Sequence, residues 1–225
     1  DLFPQIGLLH DLLEKMNVSI FELDGYEGDD LIGTIAAKAV AQSSRDSDIE
    51  VVILTGDRDM LQLVNPHVNV LMPIVGITKT VLFDEKAVEE KYGVHPKQFV
   101  DYKALIGDPS DGYPGVTGIG PKTAASLLQK YETFENLYHK VGELPEKIGL
   151  KLATDAEQAA LAKKLAQIIT DAPIQFDLEK CAVSDFDTKE LIVALKEQGF
   201  KSLTARYETV FGSKKQGQLG LLESI

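Results

Sequence analysis

The sequence predicts an α/β domain built on a parallel sheet with flanking helices, followed by an all-helical domain. Three observations carry that expectation. Apolar runs of strand length alternate with helical stripes as far as Phe83. Beyond that residue the strand-like runs stop, and helical periodicity continues to about Tyr207. At 225 residues the chain is long enough to bury a core in one large or two small domains.

Residues 4–16 place Ile6, Leu9, Leu12, Leu13 and Met16 on one helical stripe. VSIFEL (18–23) reads as a short strand. EGDDLIGTIAAKAVAQ (27–42) reads as a helix with acids in its first turn, where the helix dipole favours negative charge. SSRDSD (43–48) is a polar connection. EVVILT (50–55) has the continuous apolar character of a strand buried on both faces. RDMLQLV continues as a helix, and VNVLM (68–72) and KTVLF (79–83) are strands on either side of the break GIT (76–78). The helical series then runs through DEKAVEEKYG, PKQFVDYKALIG, PKTAASLLQKY and TFENLYHKVG. The expected division is 1–95 for the sheet domain, 96–210 for the helical domain and 211–225 for a tether or docking tail.

Composition excludes several classes. Apolar residues at 44% and charged residues at 26% are ordinary for a globular protein. No apolar run is long enough to span a bilayer, and the opening DLFPQIGLLHDLLEK lacks the basic start and cleavage site of a signal peptide. Cys181 is the one cysteine, which argues against an internal disulfide and for a reducing compartment. His10, His67, His95 and His139 are scattered, and none pairs with another at a zinc-binding spacing.

The net charge of -12 is uneven. Residues 1–95 hold 7 Lys and Arg against 17 Asp and Glu, and the remainder 16 against 18. A diffuse acidic surface repels nucleic acid, whereas acids gathered at one place bind cations. The acids do group. Glu27, Asp29 and Asp30 follow VSIFEL and open a helix; Asp57 and Asp59 follow EVVILT and open the next; Asp108 and Asp111 share the loop GDPSDG. The carboxyl ends of parallel strands line one edge of a sheet, and ligands bind there. Carboxylate oxygens suit hard cations such as Mg²⁺ or Mn²⁺, and a set this large suits two of them clamping the attacking and leaving oxygens of a phosphodiester displacement. Taken singly, each acidic pair is equally a helix cap or a solvated turn.

GVTGIGPKT is not a nucleotide-binding P-loop, because Pro121 separates Gly120 from Lys122. Pro121 instead reads as the first residue of a helix. Gly115, Gly118 and Gly120 let backbone approach a ligand, and the helix N-terminus, helped by Lys122 and Thr123, points N–H groups at a phosphate. A tight helix–loop–helix corner explains the same glycines.

DGYEGDDLIGTIA, VVILTGDRDMLQLV and GDPSDGYPGVTGIGPKTAASLL, in that order and spacing, resemble the successive motifs of the 5′ nuclease family, which includes polymerase-linked 5′–3′ exonuclease domains and flap endonucleases. The resemblance implies a PIN-like parallel sheet and a helical domain whose helix–extended turn–helix grips duplex DNA, with K⁺ at the 115–120 turn. It implies a two-metal site, Mg²⁺ or Mn²⁺, drawn from Glu27, Asp29, Asp30, Asp57, Asp59, Asp108 and Asp111. It also implies cleavage of DNA carrying a 5′ flap, a nick or an RNA primer, a covalently linked polymerase domain, no small-molecule cofactor, and a cytoplasmic, nucleoid-associated site of action. Gly28 replaces a usual Ala, and Gly112 replaces a usual Asn, which is expected to loosen the loop presenting Asp111. The family pattern opens with a strand bearing a further aspartate and with a basic arch; the expectation is that both are missing here, by fragmentation or natural truncation. Two other readings follow from the residues: a catalytically incomplete duplex-binding module of the same fold, and a small-molecule phosphatase with Asp57 as nucleophile.

Overall fold

A computed structural model of the chain describes residues 3–42, 49–76, 78–182 and 187–212. The connection expected at 43–48 and the tail from 213 onward lie outside the described residues. The chain forms two compact units, one from residues 23–174 and one from residues 1–22 with 175–225.

The larger unit contains a sheet of β1 (Val51–Leu54), β2 (Val68–Val75) and β3 (Lys79–Phe83), in that spatial order. β1 and β2 are parallel, with Val51 opposite Val68 and Leu54 opposite Leu71. β3 runs antiparallel to β2, so the sheet is mixed where the sequence pattern predicts a parallel one. The reason is the link: residues 76–78 are far too few for a crossover, which parallel pairing requires. One face is core, with Ile53, Val68, Val70, Met72 and Phe83 buried. The other is not: Val52 is 50% exposed and Leu54 69%, so EVVILT is not buried on both faces as expected. The helix expected after β1 is a single 3₁₀ turn, Asp59–Leu63. Val64 leaves it in extended conformation, and Pro66 two residues on cannot donate to a continuing helix.

Helix α2 (Gly28–Ala41) buries Leu31, Ala36 and Ala39. Its opposite stripe is a polar ladder at i, i+4 and i+8. Asp30 Oδ1 accepts from Ile169 N–H at 2.8 Å, the Thr34 hydroxyl accepts from Ala172 N–H at 3.1 Å, and Lys38 Nζ donates to the Ile174 carbonyl. An extended segment is thus fastened along α2 by side chains instead of a strand ladder. Helix α3 (Glu85–Tyr92) is capped by Asp84, which accepts from Ala87 N–H, and closes on the left-handed Gly93.

Helix α4 (Phe99–Ile106) is buried from Phe99 through Leu105. It packs against α5 (Pro121–Tyr131) and α8 (Ala156–Ala166), with α6 (Phe134–His139) and α7 (Glu146–Thr154) completing this part of the core through Leu137 and Leu152. Two charged residues enter α4's buried face. Asp101 pairs with Lys163 at 2.7 Å and accepts from Phe134 N–H at 2.8 Å, which fixes the start of α6. The other, Lys103, belongs to the candidate site.

The smaller unit groups α1 (Phe3–Lys15), α9 (Thr188–Glu197) and α10 (Lys201–Gly212). Lys15 meets Glu190 at 2.8 Å, and Lys196 meets Glu208 at 2.8 Å. VSIFEL is not a strand: residues 18–23 have no ladder partner, and Phe21 instead packs on Phe176 with ring centroids 6.1 Å apart. Among the described residues, no helix is long and apolar enough to cross a membrane.

Candidate metal centre and glycine turn

After β1, Thr55 Oγ1 accepts from Asp57 N–H at 3.0 Å, and Asp57 Oδ1 accepts from Asp59 N–H at 2.9 Å. Those two bonds turn the chain and drive Asp59 inward, to 8% exposure. Following α4, strands β4 (Gly107–Asp108) and β5 (Tyr113–Pro114) form a two-stranded hairpin with Asp108 opposite Tyr113. Its tip, residues 109–112, carries Asp111 exposed and Gly112 at φ +75°. Glycine adopts this φ freely, and the hairpin pairs Gly107 with Pro114 and Asp108 with Tyr113.

The hairpin closes against the backbone beyond it. Gly107 has φ +74°, and a Cβ on it would collide with the backbone of Pro114 and Gly115; a Cβ on Gly115 would collide with that of Leu105 to Gly107. Val116 N–H donates to the Leu105 carbonyl at 2.8 Å across the same gap. A side chain at either glycine would push the acidic loop away from α4.

The result is that Asp59, Asp108 and Asp111 each bring a carboxylate oxygen within 4.8 Å of the others. Lys103 reaches into this group from α4. Its ammonium nitrogen lies 2.5 Å from Asp59 Oδ1 and also contacts Asp108 Oδ2, with the Lys103 side chain 8% exposed. Asp59 Oδ1 makes no hydrogen bond of proper angle despite that proximity. Asp108 Oδ1 accepts from Ser110 N–H at 2.8 Å and from the Ser110 hydroxyl. Burial pushes the Asp59 carboxyl above its ordinary range; Lys103 opposes the push, and Asp57 and Asp111 add to it. The Tyr113 phenol is pushed up by burial and by the same three acids, Asp59, Asp111 and Asp57, and its buried hydroxyl has no hydrogen-bond partner among the described residues. Donors that are all carboxylate oxygens suit a hard divalent cation, and the residues present fit one.

Gly115 to Gly120 follow directly, and Gly120 opens α5 with Pro121 at its first position. Gly120 has no side chain with which to cap the first-turn N–H groups of Lys122 and Thr123, the arrangement an anion site needs. Lys122 is exposed and Thr123 half-buried. Three side chains stitch the turn from behind: Lys151 Nζ donates to the Gly118 carbonyl at 2.7 Å, Asp155 Oδ2 accepts from Thr117 N–H at 2.7 Å, and Gln158 Nε2 donates to the Gly115 carbonyl. The Thr117 bond holds the Asp155 carboxyl below its usual range.

Comparison with known proteins covers both parts of the chain. Residues 1–93 match the 5′–3′ exonuclease N-terminal resolvase-like domain, and residues 94–189 match the 5′–3′ exonuclease C-terminal SAM fold. The chain belongs to the 5′–3′ exonuclease family. DNA polymerase I of Bacillus caldotenax is 41% identical over 93% of this chain and 23% of its own length. DNA polymerase I of Bacillus subtilis is 36% identical over 92% and 23%. The chain therefore spans about a quarter of the relatives it matches. Among solved structures, the bacteriophage T5 D15 protein, co-crystallised with metal ions, matches with TM-score 0.56 and 20% identity, over 84% of this chain and 62% of its own. The Rad2 catalytic core in complex with DNA matches with TM-score 0.60 and 11% identity, over 96% and 70%. These two likenesses establish the fold, an α/β unit with a small sheet and a helical part.

Within this exonuclease-family chain, the close carboxylate group takes Asp59, Asp108 and Asp111 and does not extend to Glu27, Asp29, Asp30 or Asp57. Asp57 and Asp29 are still electrostatic neighbours: burial raises the Asp29 carboxyl, and Asp30 and Asp57 add to it. Asp30 also makes local hydrogen bonds: Oδ2 accepts from Glu27 N–H at 3.3 Å and Oδ1 from Ile169 N–H at 2.8 Å. Sequence reasoning missed Lys103, which sits five residues before Asp108 in an apolar stretch, and a lone lysine inside YKALIG is the signal that could have found it. It also missed Lys151 in α7, Asp155 at the junction of α7 and α8, and Gln158 in α8, which no motif in the sequence sets apart.

Proposed function

We propose that this chain is the 5′–3′ exonuclease and flap-endonuclease domain of a bacterial DNA polymerase I, hydrolysing phosphodiesters in replication and repair. The observation that carries the reading is the convergence of Asp59 with Asp108 and Asp111, immediately ahead of a glycine turn and an uncapped helix N-terminus. Divalent metal at the acids supplies activation of water and stabilisation of the leaving oxygen. Asp59, Asp108 and Asp111 hold one ion; Asp57, Asp29, Asp30 and Glu27 are the candidates for the second. Asp57 and Asp59 also set the turn that aims the inner carboxylate, and the β4–β5 hairpin holds Asp108 and Asp111 at a fixed offset from α5.

The grip on DNA is assigned to Gly115, Gly118, Gly120, Lys122 and Thr123. The first-turn N–H groups of α5 and the Lys122 ammonium meet a backbone phosphate, so binding is independent of base sequence. We assign Mg²⁺, with Mn²⁺ as a substitute, to the acidic site, and K⁺ to the 115–120 turn, where it competes with Lys151 for the Gly118 carbonyl. The proposed substrates are 5′-flapped, nicked or RNA-primed duplexes, met in the cytoplasm by a nuclease domain, residues 1–95, and a DNA-gripping domain, residues 96–210.

Cleavage of an end-labelled 5′-flap duplex by the 225-residue chain, with Mg²⁺ and with EDTA, tests the proposal. Metal-dependent cutting at the junction supports it. Salt-sensitive binding without cutting identifies a duplex-binding module, and turnover of a small phosphoester with no effect on DNA identifies a phosphatase.

A further inference from the structure

Lys103 is an odd residue to find where it is. Lysine is almost never fully buried without a partner, yet its side chain is 8% exposed and its ammonium is shared by Asp59 and Asp108. Those are two of the three carboxylates whose oxygens lie within 4.8 Å of one another. The third, Asp111, is exposed at the hairpin tip. One positive charge therefore faces three negative ones. The pairing is also imperfect, because Asp59 Oδ1 makes no properly angled hydrogen bond.

Resting on the metal-site reading above, we propose that Lys103 is a built-in counter-ion: it neutralises the acidic group when metal is absent and is displaced from Asp59 and Asp108 when a divalent cation binds. An ammonium and a divalent ion cannot both share these oxygens at contact distance without strong mutual repulsion. Metal entry therefore requires the Lys103 head group to withdraw along its flexible four-carbon stem. Two consequences follow. The metal-free protein is spared the repulsion of crowded carboxylates, and the site binds metal more weakly than its carboxylate count implies. Lys103 acts here as a positioning residue that sets metal occupancy.

The test compares the parent chain with Lys103→Met by titrating Mn²⁺ into each metal-free protein and by following thermal unfolding in EDTA and in excess Mn²⁺. Met keeps most of the length of the side chain and removes the charge. The variant is expected to bind Mn²⁺ about tenfold more tightly, to melt lower in EDTA, and to gain more from Mn²⁺ than the parent does. Equal or weaker Mn²⁺ affinity in the variant overturns the role of Lys103 while leaving the metal site standing. No Mn²⁺ binding by either protein overturns the metal reading and this inference with it. Should the variant fail to fold, the parent alone decides. Amine labelling mapped by peptide mass spectrometry should show Lys103 protected in EDTA and labelled in Mn²⁺, with exposed Lys122 unchanged. Protection of Lys103 in both conditions overturns displacement.

Discussion

At the acidic cluster Lys103 gives its ammonium to two carboxylates; at the glycine turn Lys151 gives its own to a carbonyl. The first region is a crowd of like charges that one lysine only partly balances, and burial raises the Asp59 carboxyl in spite of it. The second region is neutral backbone whose polar groups are satisfied from within, at Gly115, Thr117 and Gly118. The difference separates two tasks. An unbalanced cluster keeps an appetite for external cations, whereas a turn held by its own side chains depends on them less and leaves the start of α5 free to meet a phosphate. Damage to the first should remove chemistry and spare binding; damage to the second should do the reverse.

The largest break in that contrast comes from the hairpin. Asp111→Ala is expected to lower Mg²⁺-dependent flap cleavage by about a hundredfold or more, with duplex affinity nearly unchanged by fluorescence anisotropy. Cutting at the parent rate would remove Asp111 from the metal centre. Gly107→Ala is next, and it strikes both regions together. Its φ of +74° disfavours any Cβ, and the added atom meets the backbone of Gly115. The expected cost is about 3 kcal/mol, read as a fall of roughly 6–12 °C in thermal midpoint. A melt within 2 °C of the parent would mean that the close approach of the two segments is easily relaxed.

The two regions were unequally legible in sequence. The carboxylates announced themselves because two clusters follow strand-like runs and the third shares one short loop, and the structure does carry Asp59 to Asp108 and Asp111. Their neutralisation was not legible, since a lysine within an apolar stretch reads as a helix surface until the fold buries it. The glycine turn was legible as a turn, but the side chains that hold it lie more than 30 residues later. The same limit explains VSIFEL. Apolar periodicity reports burial, and a strand also needs a neighbour in the ladder; residues 18–23 are at most half-buried, with Phe21 against Phe176, and have no ladder neighbour. Asp30 and Thr34 illustrate the converse, because their i, i+4 spacing looks like an ordinary solvated stripe while it fastens residues 169–172.

Smaller effects sharpen the second half of the contrast. Lys151→Met should weaken duplex binding several-fold while leaving Mn²⁺ affinity at the acids unchanged, because the Gly118 carbonyl loses its donor and the turn relaxes. With K⁺ competing for that carbonyl, binding by the variant should become more sensitive than binding by the parent to exchange of potassium for sodium at constant ionic strength. Lys122→Ala should weaken binding alike for all base sequences and lower the salt slope by about 1. A sequence-dependent loss would mean that Lys122 reads base edges.

The smallest effect tests whether charge, and not just geometry, holds the turn. The Thr117 N–H bond depresses the Asp155 carboxyl below its ordinary value. A carboxyl depressed in the folded state contributes stability that is fully present above the unfolded value, here 3.8, and is lost as pH falls through the lower folded value. Asp155→Asn keeps an oxygen that can accept from Thr117 and removes the charge. The gap in thermal midpoint between parent and variant should therefore be small but constant at neutral pH, and it should close as the pH drops below 3.8. A gap that persists unchanged into acid would show that Asn fails for shape, and that the amide of Thr117 is held by geometry alone. A gap that closes would place a fixed negative charge among the supports of the turn.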